Sequence, residues 1–224
     1  MATPTTTRSL TTLTFERLRE DILSGRLRPD ERLRIQALSD RYDAGATAIR
    51  EALSRLVTEG LVDSEDQRGF TVASVSRDEL IDLTETRIQL EQMALRLAME
   101  RGDVEWETRV LSSLHRLSRI GLPMSPEEHV VWSQAHRQFH EALISGCRSN
   151  WTMRLCGLLY DKSERYRNLA AVRTTRERTR EATDEHTRLM EMAMARDADG
   201  ACELIAQHFR ETTSTVLASS LVLS

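Results

Sequence analysis

The sequence predicts a mainly α-helical protein, with an N-terminal winged helix-turn-helix followed by an all-α antiparallel helical bundle. Two observations predict this fold class. Over residues 13–76, short helical patterns joined by a glycine-containing turn precede two β-prone segments. Over residues 77–219, the apolar period is helical almost throughout and the connections are short. Residues 1–12 and 220–224 are predicted to be tails, the first of them flexible.

The composition of the 224-residue chain argues against several classes of protein. Its 40% apolar content is enough to build a core. Neither a run of about 18 apolar residues nor an apolar N-terminal block is present, so we expect a cytoplasmic protein with no membrane partner. The net charge of -4 argues against a nonspecific polyanion binder. Cys147, Cys156 and Cys202 form no C-x-x-C pair and are expected to be buried, reduced thiols.

Three short helices are predicted in the N-terminal domain. The segment "FERLREDILSG" carries apolar residues on one helical face and ends at Gly25, a suitable C-cap. The segment "IQALSDRY" follows, and the turn "DAGA" leads into "TAIREALSRLVTEG", whose apolar stripe stops at Gly60. Two helices joined by such a turn predict a helix-turn-helix.

The next segments change from a helical to a strand pattern. "LVDS" and "FTVAS" are β-prone, and the polar "EDQRG" between them predicts a hairpin turn. A hairpin in this place is the wing of a winged-helix domain. In such a domain the second helix of the pair enters the major groove, and the wing tip reaches the backbone or the minor groove.

At these residues the sequence resembles the GntR family of bacterial transcription regulators. The resemblance rests on "ILSGRLRPDERLR", "REALSRLVTEGLV" and "RGFTV", which stand in the family's order and spacing. It implies binding to a double-stranded DNA operator. Carried over residue by residue, it implies DNA contacts at Gln36, Thr47, Arg50, Arg68 and Gly69.

The start of the recognition helix departs from the family pattern. Gly45 and Ala46 stand where the family often has Ser-Arg, so a helix-capping serine and a base-reading arginine are both missing. Glycine can still serve as an N-cap. We therefore expect Arg34, Gln36 and Arg50 to carry more of the specificity. A surface ion pair on its own helix is the alternative role for Arg50, and the motif context favours DNA contact.

Six long helices are predicted in the C-terminal domain. Pro126 suits the first turn of one of them after Ser125 as a cap, and Asp197 or Asp199 can cap the last. The helical segments are "DELIDLTETRIQLEQMALRLAMER", "EWETRVLSSLHRLSRI", "PEEHVVWSQAHRQFHEALISG", "WTMRLCGLLYDKSERYRNLAAV", "ERTREATDEHTRLMEMAMA" and "DGACELIAQHFRETTSTVLAS".

Four histidines of this domain lie among apolar residues of three helices. His136 and His140 are four residues apart and share one helical face, whereas His186 and His208 belong to later helices. One such histidine would be interpreted as a buried imidazole bonded to a neighbour. Taken together, the four predict a metal site. Imidazole nitrogen suits zinc, nickel, copper, cobalt or iron, and an all-nitrogen set disfavours magnesium and calcium.

The same histidines extend the resemblance to the ligand-binding FCD domain of FadR-type GntR regulators. Within that branch, "AHRQFH" and "RYR" are most similar to the carbon-starvation-induced (CsiR-like) regulators. The family pattern implies a metal held by an Asp-x-x-x-His pair and two later histidines, and His136 stands where the aspartate is customary. Four neutral ligands leave the full double positive charge. We therefore expect zinc or nickel rather than manganese, and stronger attraction for an anion.

The resemblance also implies a small carboxylate effector bound at the metal. Arg87 occupies the position of a family arginine that pairs with the effector, and a guanidinium suits a carboxylate. Arg165, Tyr166 and Arg167 are further candidates, with a solvated helix face as the alternative. The implied effector is a C4 to C5 dicarboxylate such as glutarate or a hydroxyglutarate.

The leading hypothesis is a homodimeric, metabolite-responsive transcription regulator that reads a pseudo-palindromic operator and acts as a repressor rather than an activator. A metal-dependent enzyme that uses the four histidines is the alternative. It lacks a carboxylate at motif spacing to act as general base, and it leaves the winged helix unexplained, so we expect no enzyme. A third hypothesis is an interaction module in which the histidines are structural.

Overall fold

The computed structural model describes residues 10–65, 69–120, 126–170 and 176–219. Within these ranges the chain forms nine helices and three short strands. Their bounds are α1 Leu10–Leu23, β1 Arg32–Leu33, α2 Ile35–Tyr42, α3 Ala46–Thr58, β2 Val62–Glu65, β3 Gly69–Val72, α4 Arg77–Arg101, α5 Val104–Ile120, α6 Pro126–Ser145, α7 Asn150–Leu169, α8 Arg176–Ala195 and α9 Ala198–Leu217. The mainly α-helical fold class is thus confirmed.

The contacts divide the chain into two compact units. An N-terminal unit holds the described residues up to Arg77 together with Glu164–Leu169 at the end of α7. A helical unit holds Asp78–Ser163 and the residues described from Ala170 onward. No helix in these ranges is both long and apolar enough to cross a membrane.

The N-terminal unit is built around α1, α2 and α3. Its fully buried side chains come from all three helices and the strands, because each helix carries one apolar face. The core contains Leu18, Ile22, Leu38, Ile49, Leu53, Leu56, Leu61, Val62 and Val72. The strands form an antiparallel sheet in the order β1-β3-β2, with Asp63 opposite Thr71 and Arg32 opposite the same residue.

Local capping explains where the short helices end. Gly25 follows α1 with a φ of 77°, as its predicted role as a C-cap requires. Asp43 ends α2 in the left-handed region, with a φ of 49°, and its N–H donates to Ser39 O. Gly45 is the N-cap of α3 and makes no side-chain capping bond, as the sequence predicts. α1 begins at Leu10, inside the predicted tail, where the Thr14 hydroxyl donates to the Leu10 carbonyl at 2.8 Å.

The core of the helical unit surrounds Trp106 of α5. The indole is fully buried and donates to the carbonyl oxygens of Ala142 and Leu143 on α6, each at 3.1 Å. Gly102 lies against the ring, where an added Cβ would be 2.4 Å from a ring carbon, so no larger residue fits. Asp197 caps α9 by accepting from Gly200 N at 3.0 Å.

Candidate metal centre and nucleic-acid interface

Four buried imidazoles meet in the helical unit. α6 supplies His136 and His140, α8 supplies His186 and α9 supplies His208. Their residues are 2% to 5% exposed, and one ring nitrogen from each lies within 4.8 Å of the others. Each histidine lies near buried apolar residues of its own helix, namely Phe139 on α6, Leu189 on α8 and Leu204 on α9, and burial of these apolar faces brings the rings together.

One pair of ring nitrogens has the spacing of two ligands of a transition-metal ion. His136 Nε2 and His140 Nε2 are 3.2 Å apart. Two nitrogen ligands of a tetrahedral ion with bonds of 2.0 to 2.1 Å are about 3.3 Å apart. The ring of His186 approaches those of His136 and His208, with centroid distances of 4.9 and 5.1 Å. The donor set therefore suits zinc, nickel and other borderline ions.

His136 and His208 each have a polar partner on Nδ1. His208 Nδ1 is 2.6 Å from Glu185 Oε2, and His136 Nδ1 is 3.1 Å from the hydroxyl of Tyr160. The hydrogen bond from His208 lowers the pKa of the Glu185 carboxyl, against the opposing effect of burial. The Glu185 carboxylate is therefore placed to accept a hydrogen bond from His208 Nδ1. Trp132 stacks on His136, with ring centroids 4.7 Å apart.

Arg87 of α4 is buried beside Tyr160 and Phe209, two aromatic residues close to the histidines. It is 3% exposed and donates through Nε to Glu91 Oε1 at 2.7 Å. Its guanidinium carbon lies 3.9 Å from the ring centroid of Phe209 and 5.0 Å from that of Tyr160. No residue in the described part of the chain accepts a hydrogen bond from the buried Arg87 Nη2. Arg87 therefore has one buried donor group available for a ligand.

The residues near the end of α7 make different contacts. Arg165 donates to the Ala73 carbonyl, and the hydroxyl of Tyr166 accepts from Ser76 N at 3.2 Å. Arg167 is paired with Glu164. All of these contacts lie within the N-terminal unit, to which Glu164–Leu169 belong, and the effector role of Arg165, Tyr166 and Arg167 stays a prediction.

The predicted DNA-contacting residues are exposed on the N-terminal unit. Arg34 precedes α2, and Gln36 on α2 donates to Asp40 at 3.1 Å. Thr47 and Arg50 lie on α3, and Gly69 begins β3 with a φ of 87°. Among the residues that the structure describes, Arg50 has no ion-pair partner. The alternative role of Arg50 in a surface ion pair therefore finds no support. Arg68 lies outside the described residues.

Three residues that contact a histidine of the cluster or Arg87 were not predicted from the sequence. Glu185 directly precedes His186, and Glu91 follows Arg87 by four residues, so both had a local signal. Tyr160 had none, because it reaches His136 from a different helix.

The three cysteines are buried as predicted, and burial raises the pKa of the Cys156 thiol to about 12.

Comparison with known proteins defines the family. The sequence of residues 10–72 matches the family described as bacterial regulatory proteins, gntR family. The sequence of residues 82–211 matches the FCD domain family. The chain belongs to the GntR family. This GntR regulator has an FCD domain as its C-terminal part, as the resemblance implies.

Relatives agree over most of the chain. The HTH-type transcriptional regulator BphR of Paraburkholderia xenovorans is 46% identical over 212 residues, covering 93% of this chain and 86% of that protein. The HTH-type transcriptional repressor GlaR of Escherichia coli is 39% identical over 194 residues, covering 85% and 88%. The chain is therefore a DNA-binding transcription regulator and not an enzyme.

A solved structure has the same fold. Escherichia coli McbR superposes with a TM-score of 0.77 at 21% identity, over 94% of this chain and 98% of that one. At this identity the likeness concerns the fold alone.

Proposed function

We propose that this regulator is a homodimeric, metabolite-responsive repressor in the cytoplasm. In this proposal residues 13–76 bind a pseudo-palindromic operator, and residues 77–219 hold a divalent metal and a small carboxylate. The name of GlaR, a repressor, favours repression over activation. On the DNA side the proposal assigns contacts to the exposed residues Arg34, Gln36, Thr47, Arg50 and Gly69, together with Arg68.

The observation that carries the proposal is the convergence of four buried imidazoles. Burial of four polar rings with one nitrogen from each within 4.8 Å is costly unless something binds between them. His136, His140, His186 and His208 would hold zinc or nickel, and the widest nitrogen pair would have to close by at most roughly 1.5 Å. A bound ion would supply positive charge and an open coordination position for a carboxylate oxygen.

Arg87 is the proposed second anchor of the effector. Its buried Nη2 has no acceptor among the residues described, and its guanidinium lies on Tyr160, whose hydroxyl bonds to the proposed ligand His136. Two separated positive groups suit a molecule with two carboxylates. This supports a C4 to C5 dicarboxylate such as glutarate or a hydroxyglutarate, in keeping with the CsiR-like resemblance.

The effector regulates DNA binding only if it binds one conformation of the dimer more tightly than the other. The proposed mechanism is therefore a shift between DNA-competent and DNA-incompetent arrangements. The coupling would appear as a change in operator affinity when effector is added, and as an equal change in effector affinity when operator is added.

A thermal-shift screen of C4 to C5 dicarboxylates tests the site. The metal-loaded full chain should melt at a higher temperature with the effector present, because the ligand binds the folded state only. The same compound should have much less effect on the chelator-stripped protein and on His140→Ala. His115→Ala is the matched control, since His115 is an exposed histidine of α5 outside the cluster. Equal shifts in wild type and His140→Ala would contradict binding at the metal.

A further inference from the structure

The polar groups around the histidine cluster differ in charge. His136 is in contact with a neutral hydroxyl, that of Tyr160, whereas His208 is in contact with a carboxylate, that of Glu185. The Glu185 carboxylate is 15% exposed and lies on α8, directly before the proposed ligand His186. Two neighbouring residues of α8 therefore have different partners. His186 belongs to the histidine cluster, and the Glu185 carboxylate contacts His208 of α9.

The direction of the hydrogen bond decides which nitrogen of His208 is free to bind. A carboxylate 2.6 Å from Nδ1 is placed to accept from an Nδ1–H group, and metal binding through Nε2 requires the ring form whose proton is on Nδ1. In metal sites generally, a carboxylate that accepts from the far nitrogen of a histidine fixes the ring and makes the near nitrogen a better ligand. The same carboxylate would also reduce the net charge of a site that has four neutral ligands.

We propose that Glu185 is a positioning residue of the metal site, which holds His208 in the Nδ1-protonated form and supplies the negative charge that a four-imidazole set lacks. This inference rests on the proposed function. It also modifies the expectation from the sequence of an uncompensated double positive charge, because a carboxylate stands 2.6 Å behind one ligand.

Metal affinity is the first test, measured on the full chain by competing Ni²⁺ or Zn²⁺ against a chromogenic chelator. Glu185→Leu removes both the acceptor and the charge, and should weaken binding roughly 10- to 100-fold. Glu185→Gln keeps an oxygen that accepts from Nδ1 but has no charge, so its affinity should fall between those of wild type and Glu185→Leu. Glu191→Gln is the matched control, because Glu191 is exposed on the same helix, and it should bind as wild type does.

Two outcomes would overturn the proposal. If Glu185→Leu binds the metal as tightly as wild type, Glu185 does not position a ligand. If Glu185→Gln is as weak as Glu185→Leu, the hydrogen bond has no role. Should Glu185→Leu fail to fold, which circular dichroism would reveal, Glu185→Gln must still weaken binding relative to Glu191→Gln, and equal affinities would overturn the proposal.

A second measurement does not depend on metal binding. Nitrogen-15 NMR of the metal-free full chain reports which nitrogen of His208 carries the proton. Wild type should show the Nδ1-protonated form, and Glu185→Gln should retain it. An Nε2-protonated His208 in wild type would overturn the inference. If this form is seen as expected but no metal binds to wild type, the proposed function fails while the hydrogen-bond assignment stands.

Discussion

Each of the two units contains a buried carboxylate next to arginine, and the two clusters differ in how fully their polar groups are bonded. In the N-terminal unit, Asp21 accepts from Tyr42 at 2.5 Å, from Arg26 at 2.6 Å and from Arg41 at 2.8 Å. In the helical unit, Arg87 and Glu91 form one bond of 2.7 Å, and Arg87 Nη2 has no acceptor within the ranges described.

Under the proposed function, this difference separates a structural role for Asp21 from a ligand-binding role for Arg87. The bonds of Asp21 join α1 to the C-terminal end of α2, so this cluster fixes the packing of the helix-turn-helix. A buried donor with nothing to bond is costly, and it persists where a ligand can complete it. Arg87 also contacts Tyr160 and Phe209, which lie beside the histidines. The incomplete cluster is therefore the one next to the proposed effector site.

The largest effect is expected for Glu91→Gln. Both partners of the pair are 4% exposed at the side chain, so neutralising Glu91 leaves a buried, uncompensated Arg87. The free energy of unfolding should fall by about 3 kcal/mol, as measured by urea denaturation. Glu85→Gln is the control, because its ion pair with Arg210 is exposed, and it should change stability little. A Glu91→Gln protein as stable as Glu85→Gln would show that the buried pair is not electrostatically coupled.

The second largest effect on stability is expected at Asp21, whose carboxylate accepts hydrogen bonds from Tyr42, Arg26 and Arg41. Asp21→Asn removes the negative charge that faces Arg26 and Arg41 and should lower the free energy of unfolding of the N-terminal unit by about 1.5 to 3 kcal/mol. Dicarboxylate binding should be unchanged, because no buried donor of the effector site is altered. Asp40→Asn, an exposed aspartate bonded to Gln36, is the control. A loss of dicarboxylate binding in Asp21→Asn would break the distinction between the two clusters.

The third prediction concerns Arg50, an exposed arginine of α3, and its effect on operator affinity. Like the Nη2 group of Arg87, Arg50 has no partner within the described chain, but it is exposed. Arg50→Ala should weaken operator binding by about 1 to 3 kcal/mol, measured by fluorescence anisotropy, if Arg50 contacts a base. Arg109→Ala, which removes an exposed arginine from α5, should leave operator affinity unchanged. Equal affinities of the two variants would contradict the assignment of Arg50.

The smallest effect is the pH dependence of the Asp21 cluster. Burial would raise the pKa of Asp21, but the hydrogen bonds from Tyr42 and Arg26 and the charges of Arg26 and Arg41 outweigh it and lower the pKa. The contribution of Asp21 to stability is therefore present above the unfolded-state pKa of about 3.9 and is lost as the pH falls through the lower folded-state value. Acid titration of stability should show a smaller loss below about pH 4 in Asp21→Asn than in wild type.

Periodicity and capping made much of the fold predictable. α2 has the predicted bounds because its apolar face and the turn after it are local signals, and His136 and His140 could be paired because a helix fixes their spacing. β1 has only two residues, too few for a period, and is specified by its pairing with β3. Tyr160 beside His136 depends on the packing of α6 against α7, which no local pattern encodes.

The most direct test of the account is the metal content of the purified full chain. Chelator-stripped protein is dialysed against Ni²⁺ or Zn²⁺, then against metal-free buffer, and analysed for metal beside His186→Ala and His115→Ala. We predict one ion per chain in wild type and in His115→Ala. In His186→Ala we predict clearly less than one ion per chain after dialysis. Removing one of four ligands should lower the metal affinity by about 100-fold or more, because the binding free energy is shared among the ligands. Equal metal content in wild type and His186→Ala would contradict the claim that the four histidines form a metal site.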